Sequence, residues 1–245
     1  MPETRNDYDV LAQRYQLVHE KPDIQISILP TIKLILGDLR GKTVLDLGCG
    51  DGFFAREIMS LNPKHVIGVD NSRVQLELAM SLSSDPRLEY LHVDMFVDEL
   101  PRCDVVLAPF VLNYASSRDE LLDLLNRIGR TLRKRGGRLI ATLDYPSAIN
   151  LRPFGSEKKF ASAEDGAEID IALYNQGQLL VELKAHFFKM ITVHDCLQRA
   201  GFLLTKWVEP VLLNPSPGQY SDLEHKDWML YRAYPGLRYV EAIKP

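Results

Sequence analysis

Cysteine is scarce in this sequence: 245 residues hold three, Cys49, Cys103 and Cys196. Widely spaced and odd in number, they form neither a disulfide framework nor a C-x-x-C metal knuckle, and a reducing cytoplasm is their natural setting. None of the six histidines stands in an H-x-x-x-H or mixed Cys/His pattern, so no metal site is expected. Positive charge is also short. Lys and Arg number 29 against 33 Asp and Glu, a formal net charge of -4. A chain of that sign gains nothing overall from counterion release on a phosphate backbone, which argues against nucleic acid as its partner. No run approaches the ~20 apolar residues needed to cross a bilayer. The polar N-terminus, with Glu3, Asp7 and Asp9, is unlike a signal peptide. What remains is an ordinary globular make-up, 46% hydrophobic and 25% charged, expected to fold as one domain over 1–245 and to act in the cytoplasm.

Short β-branched runs alternate with helical periodicity from residue 43 onward. Strands are expected at Thr43–Leu47, Val66–Val69, Leu88–Val93, Val105–Ala108 and Leu139–Leu143. Helices are expected at Gly52–Leu61, Ser72–Leu82 and Arg118–Arg135, the last capped by Gly136-Gly137. This alternation predicts an α/β fold: a doubly wound, mostly parallel seven-stranded sheet. Ahead of it, over 1–40, Tyr8, Leu11, Tyr15 and Val18 share a helical face, and Ile24 to Leu36 suggests a second helix bent near Pro30. These N-terminal helices are expected to act as a lid. The core spans 41–145. After strand five the pattern degrades into polar sequence with Pro153, Gly155, Gly166 and Gly177. The insertion over 146–190 is expected to cover a substrate. The insertion ends in a strand over Leu179–Lys189, and 191–245 holds a helix at Thr192–Ala200 and strands at Leu203–Val208 and Trp228–Ala242.

The strongest signal is Val44-Leu45-Asp46-Leu47-Gly48-Cys49-Gly50-Asp51-Gly52-Phe53-Phe54, a strand entering a glycine-rich turn and then a helix, where open α/β sheets bind nucleotides. The dinucleotide fingerprint G-x-G-x-x-G/A needs a small residue at position 53, which is Phe53. An acid at 46 repels a pyrophosphate but suits a ligand bearing an ammonium and a sulfonium, as S-adenosylmethionine does. Asp70 ends the second strand and Asp94 follows the third; Asp46 to Asp70 and Asp70 to Asp94 are each 24 residues, about one β-α-β period. All three acids are therefore expected along one edge of the sheet. Asp144, after the fifth strand, has no second acid beside it to hold Mg2+.

Through VLDLGCGDG at 44–52, GVD at 68–70, HVD at 92–94 and RTLRKRGGRLI at 130–140, the chain resembles the class I S-adenosylmethionine-dependent methyltransferases. The resemblance covers roughly residues 40 to 145. It implies Gly48 and Gly50 under the methionine moiety with Cys49 between them, Asp46 near its amino group, and Asp70 with Asn71 on the ribose. It also implies Asp94 near the adenine amino group with Met95 beside it, the Ala108 carbonyl near the ammonium, and Tyr15 closing over the cofactor. The tracts PFVLNYASS at 109–117 and KWVEP at 206–210 further resemble small-molecule N-methyltransferases of the toxoflavin-biosynthesis type, which act in secondary metabolism.

The function expected is transfer of a methyl group from S-adenosylmethionine to nitrogen or oxygen of a small molecule by in-line displacement, leaving S-adenosylhomocysteine. An activated donor leaves the protein mainly positioning to do, so the catalytic trace in sequence is faint. Strand ends, lid and late loops nominate Tyr8, Asn113, Tyr114, Tyr145 and Trp207 for substrate contact. The alternatives are a non-catalytic domain that only holds the nucleoside and an enzyme acting on a peptide or protein. A closed apolar pocket favours a small acceptor, and an open acidic groove a polypeptide. The cluster Arg127, Arg130, Arg133, Lys134, Arg135 and Arg138 reads as cations opposing a helix dipole, not as a nucleic-acid patch.

Overall fold

A computed structural model describes residues 8, 15–133, 136–216 and 219–245. Ten strands form two sheets. The larger has the order β3-β2-β1-β4-β5-β10-β9, built from β1 (Thr43–Leu47), β2 (His65–Asp70), β3 (Leu88–His92), β4 (Val105–Pro109), β5 (Arg138–Asp144), β9 (Leu204–Val208) and β10 (Leu237–Ile243). The first five are parallel, and β10 runs antiparallel between β5 and β9. Every residue of β1 and β4 is buried, as the continuous apolar runs of a two-sided parallel sheet require. On one face, Leu45, Leu47 and Val106 pack against Leu121, Leu125 and Val193. On the other, Val44, Val105 and Leu107 meet Ile28, Ile32 and Ile58.

The helices are α1 (Leu29–Leu36), α2 (Phe53–Glu57), α3 (Arg73–Ser81), α4 (Arg118–Thr131), α5 (Met190–Arg199) and α6 (His225–Ala233). The bend expected near Pro30 is a wide π turn over Ile24–Ile28, closed by the Leu29 N–H on the Ile24 carbonyl. Proline lacks an N–H and crowds the carbonyl four residues back, and the widened turn relieves both. The first expected helix falls mostly outside the described residues, Leu11 included; its end is a short 3-10 turn, Gln16–Glu20, that buries Val18.

Three expectations need correction. The helix from Arg118 ends at Thr131, with Leu132 extended and bridging Cys103; Lys134 and Arg135 lie outside the described residues, and Gly136 belongs to the turn into β5. Trp228–Ala242 is not one strand. A helix fills its first part, started by a capping box of Glu224 and Asp227, and it buries Trp228 and Tyr231, one turn apart, against Phe154. The insertion is no loose cover. It folds as a separate antiparallel sheet of β6 (Ser156–Phe160), β7 (Glu168–Asn175) and β8 (Gln178–His186). Ile169, Ile171 and Leu173 of β7 face inward onto Val18 with Leu183 and Ala185 of β8. The basic cluster resolves into local pairs: Arg133 with Asp104, and Arg138 with Glu241. Among the described residues no helix is long and apolar enough to cross a membrane.

Candidate active site

The parallel strands present their carboxyl ends on one edge, and strand order reverses there between β1 and β4, the place where open α/β sheets take ligands. Gly48 and Gly50 carry φ of 67° and 53°, which a side chain makes costly. A Cβ at Gly48 would also press on Val111 Cγ2 at 3.0 Å. Asp70 holds the turn from the neighbouring strand: its Oδ2 accepts the Gly50 N–H and its Oδ1 the Ser72 N–H, both at 2.9 Å.

Two cavities flank this turn and share a wall that includes Tyr15, Gly48, Gly50, Phe110 and Tyr114. The wall holds a strained residue. Phe110 has φ of 61°, with its N–H tied to Thr142 Oγ1 at 2.9 Å. Such a conformation costs of order 1–3 kcal/mol and clusters at functional sites.

The first cavity, about 690 Å³ with its mouth, is completed by Asp70, Asn71, Gln75, Met95, Phe96 and Val111. Gln75 is fully buried, and neither end of its amide has a hydrogen-bond partner. A buried amide left unmatched costs about 1–3 kcal/mol. Its orientation toward a cavity with a carboxylate on one wall, bare backbone on another and a Met95–Phe96 slot fits a ligand with hydroxyls and a flat base. Those features match S-adenosylmethionine.

The second cavity, about 850 Å³ with its mouth, runs under the small sheet, where Ile171, Leu173, Leu183 and Ala185 form an apolar roof. His19 stands in its wall. Its Nε2 bonds Asp51 Oδ1 at 2.9 Å, and its ring stacks on Phe53 at 4.1 Å. Burial works to raise the Asp51 pKa, but the His19 hydrogen bond and the charges of His19 and Arg56 outweigh it and hold the carboxyl below its ordinary value. Deeper in, Lys158 pairs with Asp144 at 2.6 Å, and Lys21 lies between Asp23 and Ser156.

Of the residues expected from sequence, Tyr8, Tyr15, Gly48, Cys49, Gly50, Asp70, Asn71, Met95 and Tyr114 line these cavities. The Tyr8 and Tyr114 hydroxyls bond each other, and Tyr8 stands edge-on to Tyr15 at 5.5 Å. Burial pushes both the Tyr8 and Tyr15 phenols well above their ordinary pKa, so they stay neutral hydrogen-bonding groups.

Six expected residues are placed elsewhere. Asp46 shares the pleat face of Val44, so it lies under α2 and not in the cavity wall. Burial pushes its pKa up to about 8, the Ala55 amide pulling the other way. Asp94 bends the chain instead, its Oδ1 accepting the Phe96 N–H at 2.9 Å, which turns Met95 and Phe96 inward. Ala108 is fully buried in β4, one residue short of the wall. Asn113 is a clamp: its Oδ1 accepts the Asp144 N–H and its Nδ2 donates to the His186 carbonyl. Tyr145 packs on Phe187 beneath Arg238. Trp207 pairs with Val240 at the far side of the sheet, against the core.

The sequence reading passed over His19, Lys21, Asp23, Asp51, Ser156 and Lys158. A signal was present, because His19-Glu20-Lys21-Pro22-Asp23 concentrates ionisable residues just ahead of an apolar helix. Among the described residues no group of acids, histidines and cysteines is placed to hold a metal ion.

Residues 44–136 match the family model of a methyltransferase domain. Among curated proteins, N-demethylindolmycin N-methyltransferase of Streptomyces griseus is 27% identical over 190 residues, 71% of this chain and 76% of that one. A tRNA U34 carboxymethyltransferase of Pseudoalteromonas atlantica is 31% identical over 108 residues, and the chain spans only 33% of its length. Among solved structures, an S-adenosylmethionine-dependent methyltransferase of Mesorhizobium loti superposes with a TM-score of 0.63 at 19% identity, covering 93% of this chain and all of that one. The glycine turn and the seven-stranded sheet coincide with the methyltransferase domain matched over residues 44–136, on a fold shared with solved S-adenosylmethionine-dependent methyltransferases.

Proposed function

We propose that this enzyme methylates nitrogen or oxygen of a small molecule held in the cavity under the β6–β8 sheet. The carrying observation is that cavity itself: apolar in its roof, closed by an inserted sheet, and sharing a wall with the cavity that fits the cofactor. A polypeptide or a tRNA loop needs an open groove, and the net charge of -4 offers no general attraction to RNA. The relative acting on N-demethylindolmycin aligns across most of this chain, whereas the tRNA U34 carboxymethyltransferase aligns over 43% of it.

S-adenosylmethionine, when bound, supplies a methyl carbon already activated by a sulfonium. Gly48 and Gly50 let the methionine part lie against the main chain, Asp70 and Asn71 take the ribose hydroxyls, and Met95, Phe96 and Val111 hold the base. Tyr15 and Tyr8 close the wall with Tyr114. Asp94 and Ala108 act through the backbone they shape. Asp46 stays beneath the turn.

His19 is the proton acceptor we assign. Asp51 accepts the hydrogen bond from Nε2–H and so fixes the tautomer that leaves Nδ1 as the basic nitrogen. The acceptor's N–H or O–H proton passes to that nitrogen. Three unpaired buried cysteines suit work in a reducing cytoplasm.

The test is donor turnover, read as S-adenosylhomocysteine formed with a metabolite fraction below ~1 kDa and, separately, with bulk tRNA. Turnover with the small fraction alone is expected. His19→Ala should cut it by about 10²–10⁴-fold, the usual contribution of a positioned base, while S-adenosylhomocysteine still binds. Turnover with tRNA alone would overturn the reading.

A further inference from the structure

The apolar cavity carries an unusual floor. Two lysines and two aspartates line it, each almost fully buried: Lys21 and Asp23 with side chains 4% and 5% exposed, Lys158 and Asp144 with 6% and 7%. Taking charges out of water costs several kcal/mol per ion, and a buried pair is often no more stable than well-packed apolar residues. Four such charges beside a substrate cavity therefore point to recognition rather than to folding.

Their partners leave defined vacancies. Lys158 Nζ donates to the Gly236 carbonyl at 2.9 Å and is ion-paired with Asp144 Oδ1 at 2.6 Å, which leaves it a proton to offer a ligand. Lys21 Nζ bonds Ser156 Oγ at 2.9 Å and lies 3.4 Å from Asp23 Oδ1. Ser156 Oγ in turn donates to Asp23 Oδ2 at 3.2 Å. Asp144 Oδ2 has no hydrogen-bond partner among the described residues. Asn113 and Gly236 hold both ends of the first pair in place. The floor thus offers a free N–H donor and a free carboxylate acceptor side by side, with no net charge.

Resting on the methyltransferase reading above, we propose that this floor selects the acceptor: a small, uncharged, flat molecule with a hydrogen-bond donor and acceptor adjacent on one edge, as in a lactam or cyclic urea, and an apolar opposite edge. An anion drawn to Lys158 meets Asp144, and a cation drawn to Asp144 meets Lys158. A neutral donor–acceptor edge satisfies both. The apolar edge lies against Ile171, Leu173 and Leu183.

Calorimetric titration of the S-adenosylhomocysteine-loaded enzyme with three bicyclic probes of similar size tests this. The probes are 2-quinolinone, which has the donor–acceptor edge, quinoline, which lacks the donor, and quinoline-2-carboxylate, an anion. We expect 2-quinolinone to bind at least tenfold more tightly than the other two. The paired variant Lys158→Met/Asp144→Leu, which leaves no lone buried charge, should erase that preference while still binding S-adenosylhomocysteine. Ser156→Ala, which removes no charge, gives a second reading as a severalfold loss of 2-quinolinone affinity. Equal or tighter binding of quinoline or the carboxylate, no binding by any probe, or a preference that survives in the paired variant would overturn the proposal. Failure of the unaltered enzyme to bind S-adenosylhomocysteine would instead overturn the functional reading beneath it.

Discussion

The two cavities meet at one wall but are built by opposite means. The cavity that fits the cofactor turns on main chain at its centre, a glycine turn with amides gathered by Asp70, and side chains such as Gln75, Met95 and Phe96 complete its walls. The side proposed for the acceptor uses side chains: an apolar roof from an inserted sheet and a floor of buried ion pairs. Backbone recognition suits a ligand that never changes, because glycine geometry survives substitutions around it. Side-chain recognition suits a ligand that differs from enzyme to enzyme.

The largest expected effect strikes the acceptor side. Lys158→Met alone leaves Asp144 buried without its cation and should cost about 3–5 kcal/mol of stability, measured by urea unfolding, whereas the paired variant with Asp144→Leu should recover most of it. Equal losses in both would mean that the floor is structural packing. On the cofactor side, Asp70→Ala frees the Gly50 and Ser72 amides and should weaken S-adenosylhomocysteine by at least 100-fold, about 2.7 kcal/mol, as seen by calorimetry. A small loss would show that the turn holds its shape without Asp70, and the contrast between main chain and side chain would weaken.

Asp46 gives a third test, through pH. Its pKa of about 8 in the folded chain stands above the ~3.9 of an unfolded aspartate. Between those values the native state keeps a proton that the unfolded chain has released. Stability should therefore fall as pH rises from about 4 toward 8, by up to roughly 1.4 kcal/mol per pH unit. Asp46→Asn should flatten that slope in denaturation curves taken across the range. The smallest effect belongs to Gln75→Leu. Removing an unmatched buried amide should leave the ligand-free enzyme as stable or about 1 kcal/mol more stable. It should weaken S-adenosylhomocysteine by about tenfold. Unchanged affinity would make Gln75 a packing residue.

The same division explains what could be read from sequence. The five parallel strands were legible within a residue or two because two-sided burial writes them as continuous apolar runs, and the turn was legible because glycine spacing encodes its dihedrals. The β7 strand was not, although Ile169, Ile171 and Leu173 fall on alternate positions, since glycines and prolines around it read as loop. The helix from His225 was missed because its buried stripe is only Trp228 and Tyr231. Asn113 and Trp207 looked functional because strand ends and aromatics often are; tertiary packing uses them as clamp and core. The His19–Asp51 and Lys158–Asp144 pairs join residues 32 and 14 apart in the chain, and no local pattern announces which charges will meet under a roof folded later in the sequence.

The paired floor also constrains how this enzyme's lineage can change its diet. A mutation reaching either Lys158 or Asp144 first passes through a chain with a stranded buried charge and a depleted folded population. Descendants that exchange these floor residues must therefore cross a fitness valley, while the roof residues Ile171, Leu173 and Leu183 remain free to drift one methylene at a time. New substrates should arise by reshaping the ceiling long before the polar pairs are exchanged.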